Sequence, residues 1–122
     1  MLNRRAVLAG AASLAVTLTA CGKEEKSSTG ARPEGLKVGV AMPTRSSERW
    51  LTDGKGVAKR LQEMGYKPTL EYGDDDPKAQ VAQIDKMIDD GVRALVIAAI
   101  DNRSLNGVLR KAAKADITVV SY

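Results

Sequence analysis

The 122-residue chain has no histidine and a single cysteine. Without histidine there is no imidazole to ligate a metal and none to serve as the base of a Ser-His-Asp triad. A single thiol leaves no partner for a disulfide within the chain. Nucleotide-binding loops are missing as well. No G-x-x-x-x-G-K-[ST] occurs, and the first strand-like run is not followed by G-x-G-x-x-G. No basic patch is interleaved with aromatics, so nucleic acid is not an expected partner. No nucleophile stands in an evident pairing with a base, so the chain is not expected to be an enzyme. The acidic run Asp74-Asp75-Asp76 lacks the spacing of a calcium loop, and helix capping explains it more simply. Neither a metal nor a cofactor is expected.

A long membrane-spanning run is also absent. Met1 to Arg5 is short and basic, and Ala6 to Ala20 is uncharged and mostly apolar. That stretch is short of the roughly 20 apolar residues a spanning helix needs. It has the form of a signal-peptide core. It ends in Leu18-Thr19-Ala20-Cys21, which resembles the bacterial lipobox, where cleavage precedes the cysteine and its thiol takes a diacylglycerol. An ordinary cleaved signal with an unrelated cysteine is the alternative. Arg4-Arg5 leaves both general and twin-arginine export open. Residues 1–20 are therefore expected to be a lipoprotein signal peptide and Cys21 the lipid attachment site. The product would be extracytoplasmic and anchored to the membrane by lipid. Removing the signal takes two arginines and no acid, so the net charge falls from +4 to +2. Gly22 to Gly35 is polar, rich in Gly and Ser, and has no apolar period. Residues 21–35 are expected to be a flexible tether.

What is there begins at Leu36. Leu36 to Met42 is a β-rich run ended by Pro43. Ser47 is placed to cap a helix with Glu48 in its first turn, and Leu51, Val57, Ala58, Leu61 and Met64 follow at helical spacing. Gly54 and Gly56 weaken the first half of that helix, and Gly65 stands where a helix stops. Tyr66 to Tyr72 is a second strand. Asp76 caps a second helix with Pro77 at its first position, a stripe of Val81, Ile84, Met87 and Ile88, and an end at Gly91. Ala94 to Ile100 is a continuous apolar run, as in a strand buried on both faces of a parallel sheet. Asn102 or Ser104 starts a third helix, and Ile117 to Tyr122 is a fourth strand. The order β-α-β-α-β-α-β predicts an α/β fold, a parallel sheet in strand order 2-1-3-4 with helices on both faces. The chain stops on a strand residue, and 36–122 is expected to be an incomplete lobe of a truncated chain.

In open α/β sheets ligands sit beyond the carboxyl ends of the strands, where the strand order reverses. With that order, the loop Pro43–Arg49 faces the loop Ile100–Ser104 over one crevice. Pro43 to Trp50 reads P-T-R-S-S-E-R-W and holds the only tryptophan. Arg donors, hydroxyls, the Asp101 carboxylate, the Asn102 amide and an indole suit a sugar. Its hydroxyls take charge-assisted hydrogen bonds, and its apolar face stacks on an aromatic ring. The candidate ligand residues are Thr44, Arg45, Arg49, Trp50, Asp101 and Asn102. Each has a plainer alternative. Trp50 can begin the apolar stripe of its helix, and Arg49 can be a solvated charge at a helix end. Asp101 and Asn102 can cap the third helix, and Thr44 and Arg45 can be ordinary loop residues.

K-V-G-V-A-M-P-T-R-S-S-E-R-W, E-Y-G-D-D-D, Q-I-D-K-M-I-D-D-G-V-R-A-L-V-I-A-A-I-D and I-T-V-V-S-Y together resemble the opening lobe of bacterial sugar-binding periplasmic proteins and lipoproteins. The nearest branch is that of the xylose-binding and multiple-monosaccharide-binding receptors of ABC importers. The resemblance covers Leu36 to Tyr122. It implies a type I periplasmic binding protein fold, a clamp of two lobes that closes on a monosaccharide such as xylose, glucose or galactose and delivers it to an ABC permease. Arg49 would then bond sugar hydroxyls and Trp50 would stack on the ring. In the family an Asp-Arg pair that grips the sugar follows the equivalent of V-x-S-Y, and this sequence stops at the tyrosine. A sugar-responsive repressor shares the fold but would carry a helix-turn-helix where the signal and tether lie. A membrane-anchored sugar-sensing module and a non-functional remnant stay open beside import.

Overall fold

The computed structural model describes residues 34–122. The element order is β1 (Lys37–Met42), α1 (Glu48–Glu63), β2 (Lys67–Tyr72), α2 (Pro77–Asp89), β3 (Ala94–Ile97), α3 (Asn106–Lys114) and β4 (Thr118–Ser121). The alternation predicted from the apolar periods is the one found. Every strand pairing is parallel, and the sheet order is β2-β1-β3-β4. The proposed signal, Cys21 and the tether up to residue 33 lie outside the described residues. Glu34 and Gly35, assigned to the tether by their composition, belong to the fold: the Gly35 N–H donates to the Gly65 carbonyl at 3.0 Å.

The strand register divides the core in two. On one face Val40, Met42 and Ala98 are buried beneath α1, with Trp50, Val57, Leu61, Leu70 and Tyr72 packed against them. On the other face Ala41, Leu95 and Ile97 meet Ile84, Met87 and Ile88 of α2 and Val108 and Ala112 of α3. Fully burying side chains of this kind contributes roughly 1.5–3 kcal/mol each. Helices α1 and α2 end at Gly65 and Gly91, both at positive φ. There the N–H of Tyr66 reaches back to Leu61 and that of Val92 to Met87, which satisfies carbonyls the helix leaves open.

Three details depart from the sequence reading. β3 ends at Ile97 rather than Ile100, and its residues alternate between half-buried and buried. Helix α1 lies over β1 and β2. Among the described residues no element covers β3 and β4 on that side, so Val120 is 48% and Tyr122 52% exposed. The third helix begins at Asn106, not at Asn102 or Ser104, and Leu105 at its cap position supplies no side-chain bond. Ser47 stands at the cap of α1 but its hydroxyl makes no cap bond. In the preceding turn the Ser46 N–H and hydroxyl both bond Thr44 Oγ1 (3.1 and 2.9 Å).

Candidate functional site

Since β1 and β3 are direct neighbours, the loops leaving their carboxyl ends stand side by side at the point where the strand order reverses. On the α1 side Arg49 and Trp50 occupy the first turn of the helix. The Arg49 guanidinium carbon sits 4.7 Å from the centroid of the Trp50 ring, a cation–π stack. Trp50 is half-buried and rests on the small cluster around Val40 and Met42. It therefore packs on the core along one edge and is open to solvent along the other. Tyr122, just past β4, presents its ring at 6.2 Å and 65° to the Trp50 ring. Its N–H donates to the Ile97 carbonyl at 2.9 Å, which continues the sheet to the rim of the crevice.

Asp53, one helical turn after Arg49, brings its carboxylate to 3.5 Å from Arg49 Nε. The nearby Asp53 carboxylate, together with burial, raises the pKa of the Tyr122 phenol, while the Arg49 charge opposes the rise. The close seat of α1 on the sheet depends on Gly54. A Cβ there would lie 2.7 Å from the Tyr72 hydroxyl and 3.2 Å from Met42 Cγ. The glycine that lowers helix propensity is thus the one that lets the first turn of α1 reach the strand ends.

The loop after β3 is built differently. Asp101 spends its carboxylate on its own loop: Oδ1 accepts the N–H groups of Arg103 (2.9 Å) and Ser104 (2.7 Å), and Oδ2 accepts the Ser104 hydroxyl (2.6 Å). The Ser104 hydroxyl, and then those N–H groups, hold the carboxyl below the usual aspartate range. This is local turn capping of the kind weighed for Asp101, though it shapes the turn and not the helix end. Asn102 is exposed at the loop tip. Gln80 of α2, which sequence reasoning passed over, holds this loop from below. Its side chain is almost wholly buried. Its Nε2 donates to the Ala98 carbonyl at 2.9 Å and its Oε1 accepts the Ile100 N–H at 3.0 Å. Pro43, just past β1, has no N–H to offer the Ala98 carbonyl, and Gln80 takes that carbonyl instead.

Thr44 and Arg45 take other positions. Thr44 is buried, with its hydroxyl bonded to Ser46. Arg45 turns toward β2, where its Nε and Nη2 donate to the two carboxylate oxygens of Asp74. The side-chain bond lowers the Asp74 pKa and raises that of Arg45. The Asp75 N–H donates to the Pro43 carbonyl, and Asp76 caps α2 through Lys78 N–H. The acidic run therefore does three separate jobs, of which capping is one. Beside it a cavity of about 580 Å³ lies between β2 and α2, lined by Arg45, Glu71, Tyr72, Asp74, Asp76 and Gln83 among others. It is outside the crevice and contains neither Trp50 nor Arg49. Of the six candidates the structure brings Arg49 and Trp50 together. Asp101 and Asn102 stand on the adjoining loop, and Thr44 and Arg45 support the loop that leads to them. Among the described residues no group of three or more acidic or cysteine side chains is placed to hold a metal ion.

A family model for the periplasmic binding protein domain matches residues 38–122. The multiple sugar-binding periplasmic receptor ChvE of Rhizobium radiobacter is 49% identical over 85 residues, which are 70% of this chain and 24% of that protein. The D-xylose-binding periplasmic protein of Escherichia coli strain K12 is 28% identical over 107 residues, 88% of this chain and 32% of that one. Among solved structures, an ABC transporter solute-binding protein from Clostridium phytofermentans with bound β-D-glucose matches with a TM-score of 0.67 and 46% identity. It covers 68% of this chain and 26% of its own. The chain spans about a quarter to a third of the length of the curated relatives it matches.

Proposed function

The chain belongs to the periplasmic binding protein domain family, and from that membership we propose that it is part of the solute-binding component of an ABC-type monosaccharide importer. The observation that carries this reading is the Arg49–Trp50 stack at the strand-order reversal. A pyranose there lays its C–H face on the exposed side of the indole while its hydroxyls accept from the guanidinium. Asn102 adds an amide from the facing loop, and the Asp101 carboxylate keeps that loop in shape. Thr44 and Arg45 fix the first loop from beneath. The names of the relatives support a monosaccharide such as glucose or xylose as ligand and a location outside the cytoplasm; galactose is included for its likeness to glucose. The family is one of binding proteins and not of enzymes. The lipid anchor on Cys21, the tether after it and delivery to an ABC permease complete the proposal.

Calorimetric titration of the protein with D-glucose, D-galactose and D-xylose tests it. The expected result is saturable binding of at least one sugar that Arg49→Ala weakens by at least about tenfold, as loss of a charge-assisted hydrogen bond does. Saturable binding left untouched by Arg49→Ala would place the sugar elsewhere, and no binding of any of the three would remove the sugar from the account.

A further inference from the structure

Asp53 belongs to none of the motifs that mark the crevice, yet the groups around Trp50 converge on it. Its Oδ2 lies 3.5 Å from Arg49 Nε, and Arg49 stacks over the indole at 4.7 Å. Tyr122 sets its ring edge-to-face against the same indole at 6.2 Å. Contacts therefore run from Asp53 to Arg49 to Trp50, with Tyr122 at the end of β4 against the same ring. Arg49 and Trp50 lie on adjacent positions of α1, and Asp53 lies one turn after Arg49 on the same helix. The Asp53 side chain is 28% exposed against 69% for Arg49, so the carboxylate is the anchored partner and the guanidinium the held one.

We infer that Asp53 is a positioning residue for the crevice, its carboxylate holding the Arg49 guanidinium over the Trp50 indole. The inference rests on the sugar-binding reading proposed above. An exposed i,i+4 ion pair adds little to stability, so fold stabilisation is not what this pair supplies. Orientation is. An arginine side chain free to sample its rotamers loses that freedom on gripping a hydroxyl, and one already held loses less. Asp53 acts on the ligand through Arg49 and Trp50 without touching it.

Asp53→Asn and Asp53→Glu in the full chain test this, with two readouts. Trp50 is the only tryptophan, so the near-ultraviolet circular dichroism of indole reports this cluster alone. Calorimetry with D-glucose, D-galactose and D-xylose reports binding. Asp53→Asn is expected to lose roughly half the indole signal and to bind sugar about tenfold more weakly, with the thermal midpoint within about 2 °C of wild type. Asp53→Glu, which keeps the charge, is expected to restore most of both. Unchanged affinity in Asp53→Asn overturns the inference, with or without a change in the indole signal. Loss of helical signal along with affinity also overturns it, because Asp53 would then support the fold. If wild type binds none of the three sugars, the sugar reading falls, and the indole signal alone decides the positioning: lost in Asp53→Asn and kept in Asp53→Glu supports it, unchanged in both overturns it.

Discussion

The two loops that leave the sheet at the strand-order reversal are adjacent, and they are built on opposite plans. The loop from β1 to α1 delivers its chemistry outward. Arg49 is largely exposed and Trp50 half-buried, and the helix that carries them is seated close to the sheet through Gly54. The loop from β3 to α3 turns its chemistry inward. Asp101 satisfies its own turn, and Gln80 reaches up from α2 to take both the Ala98 carbonyl and the Ile100 N–H. The first loop is a set of donors on a rigid mount, and the second is a wall held at a fixed distance. A polar residue beside a crevice is thus not by that fact a ligand. What separates the two cases is whether its hydrogen bonds are already spent.

The largest expected effect breaks the wall. Gln80→Leu leaves a buried carbonyl and a part-buried N–H without partners, and unfolding in urea should show a loss of about 3 kcal/mol. Amide exchange at Ile100 should accelerate in the same variant. A loss well below that value would mean that water or the neighbouring backbone takes over both groups. Next, Trp50→Ala removes the mount's aromatic surface. Sugar affinity should fall by on the order of 2 kcal/mol, as for other stacked aromatic contacts, while the lobe stays folded. Unaltered affinity would return Trp50 wholly to the core. Gly54→Ala tests the seat of α1. The gain in helix propensity, about 1 kcal/mol, is set against crowding of Tyr72 and Met42, and the net should be a destabilisation of roughly 1 kcal/mol. A stabilised variant would show that α1 can lift without cost.

The smallest effect concerns Asp101 and pH. Its folded-state carboxyl is held below the ordinary range. The stability it contributes is therefore complete above its unfolded value, about pH 4, and is lost as pH falls through the folded value. Wild type should melt slightly above Asp101→Asn at pH 7, and the gap should close in acid. A gap that persists at low pH would assign the turn to hydrogen bonding that does not need the charge.

The strand order and the pairing of loops were legible because apolar periods of two and of helical spacing alternate cleanly from Leu36 onward. Arg49 and Trp50 stood out as candidates by their types and place, and the structure stacks them at the strand-order reversal. Asp53, Gln80 and the Arg45–Asp74 pair did not stand out. Asp53 is visible in R-W-L-T-D only as an i,i+4 partner, one of several on exposed helix faces. Gln80 contacts residues 18 and 20 positions away, and Arg45 one 29 away, so no local pattern announces them. The end of β3 was hidden in the same way: Ala99 and Ile100 have strand composition, but Pro43 has no N–H to offer the Ala98 carbonyl, and Gln80 takes it instead.

The most direct test of the crevice is to map, by heteronuclear nuclear magnetic resonance, which backbone amides shift when D-glucose or D-xylose is added to isotopically labelled protein. Saturable shifts at residues 45–53 and 99–104 and at Tyr122, with little change elsewhere, are the predicted result. Shifts centred on Leu70–Asp76, Ala79 and Gln83, around the cavity beside β2, would contradict it, and so would a spectrum that does not move.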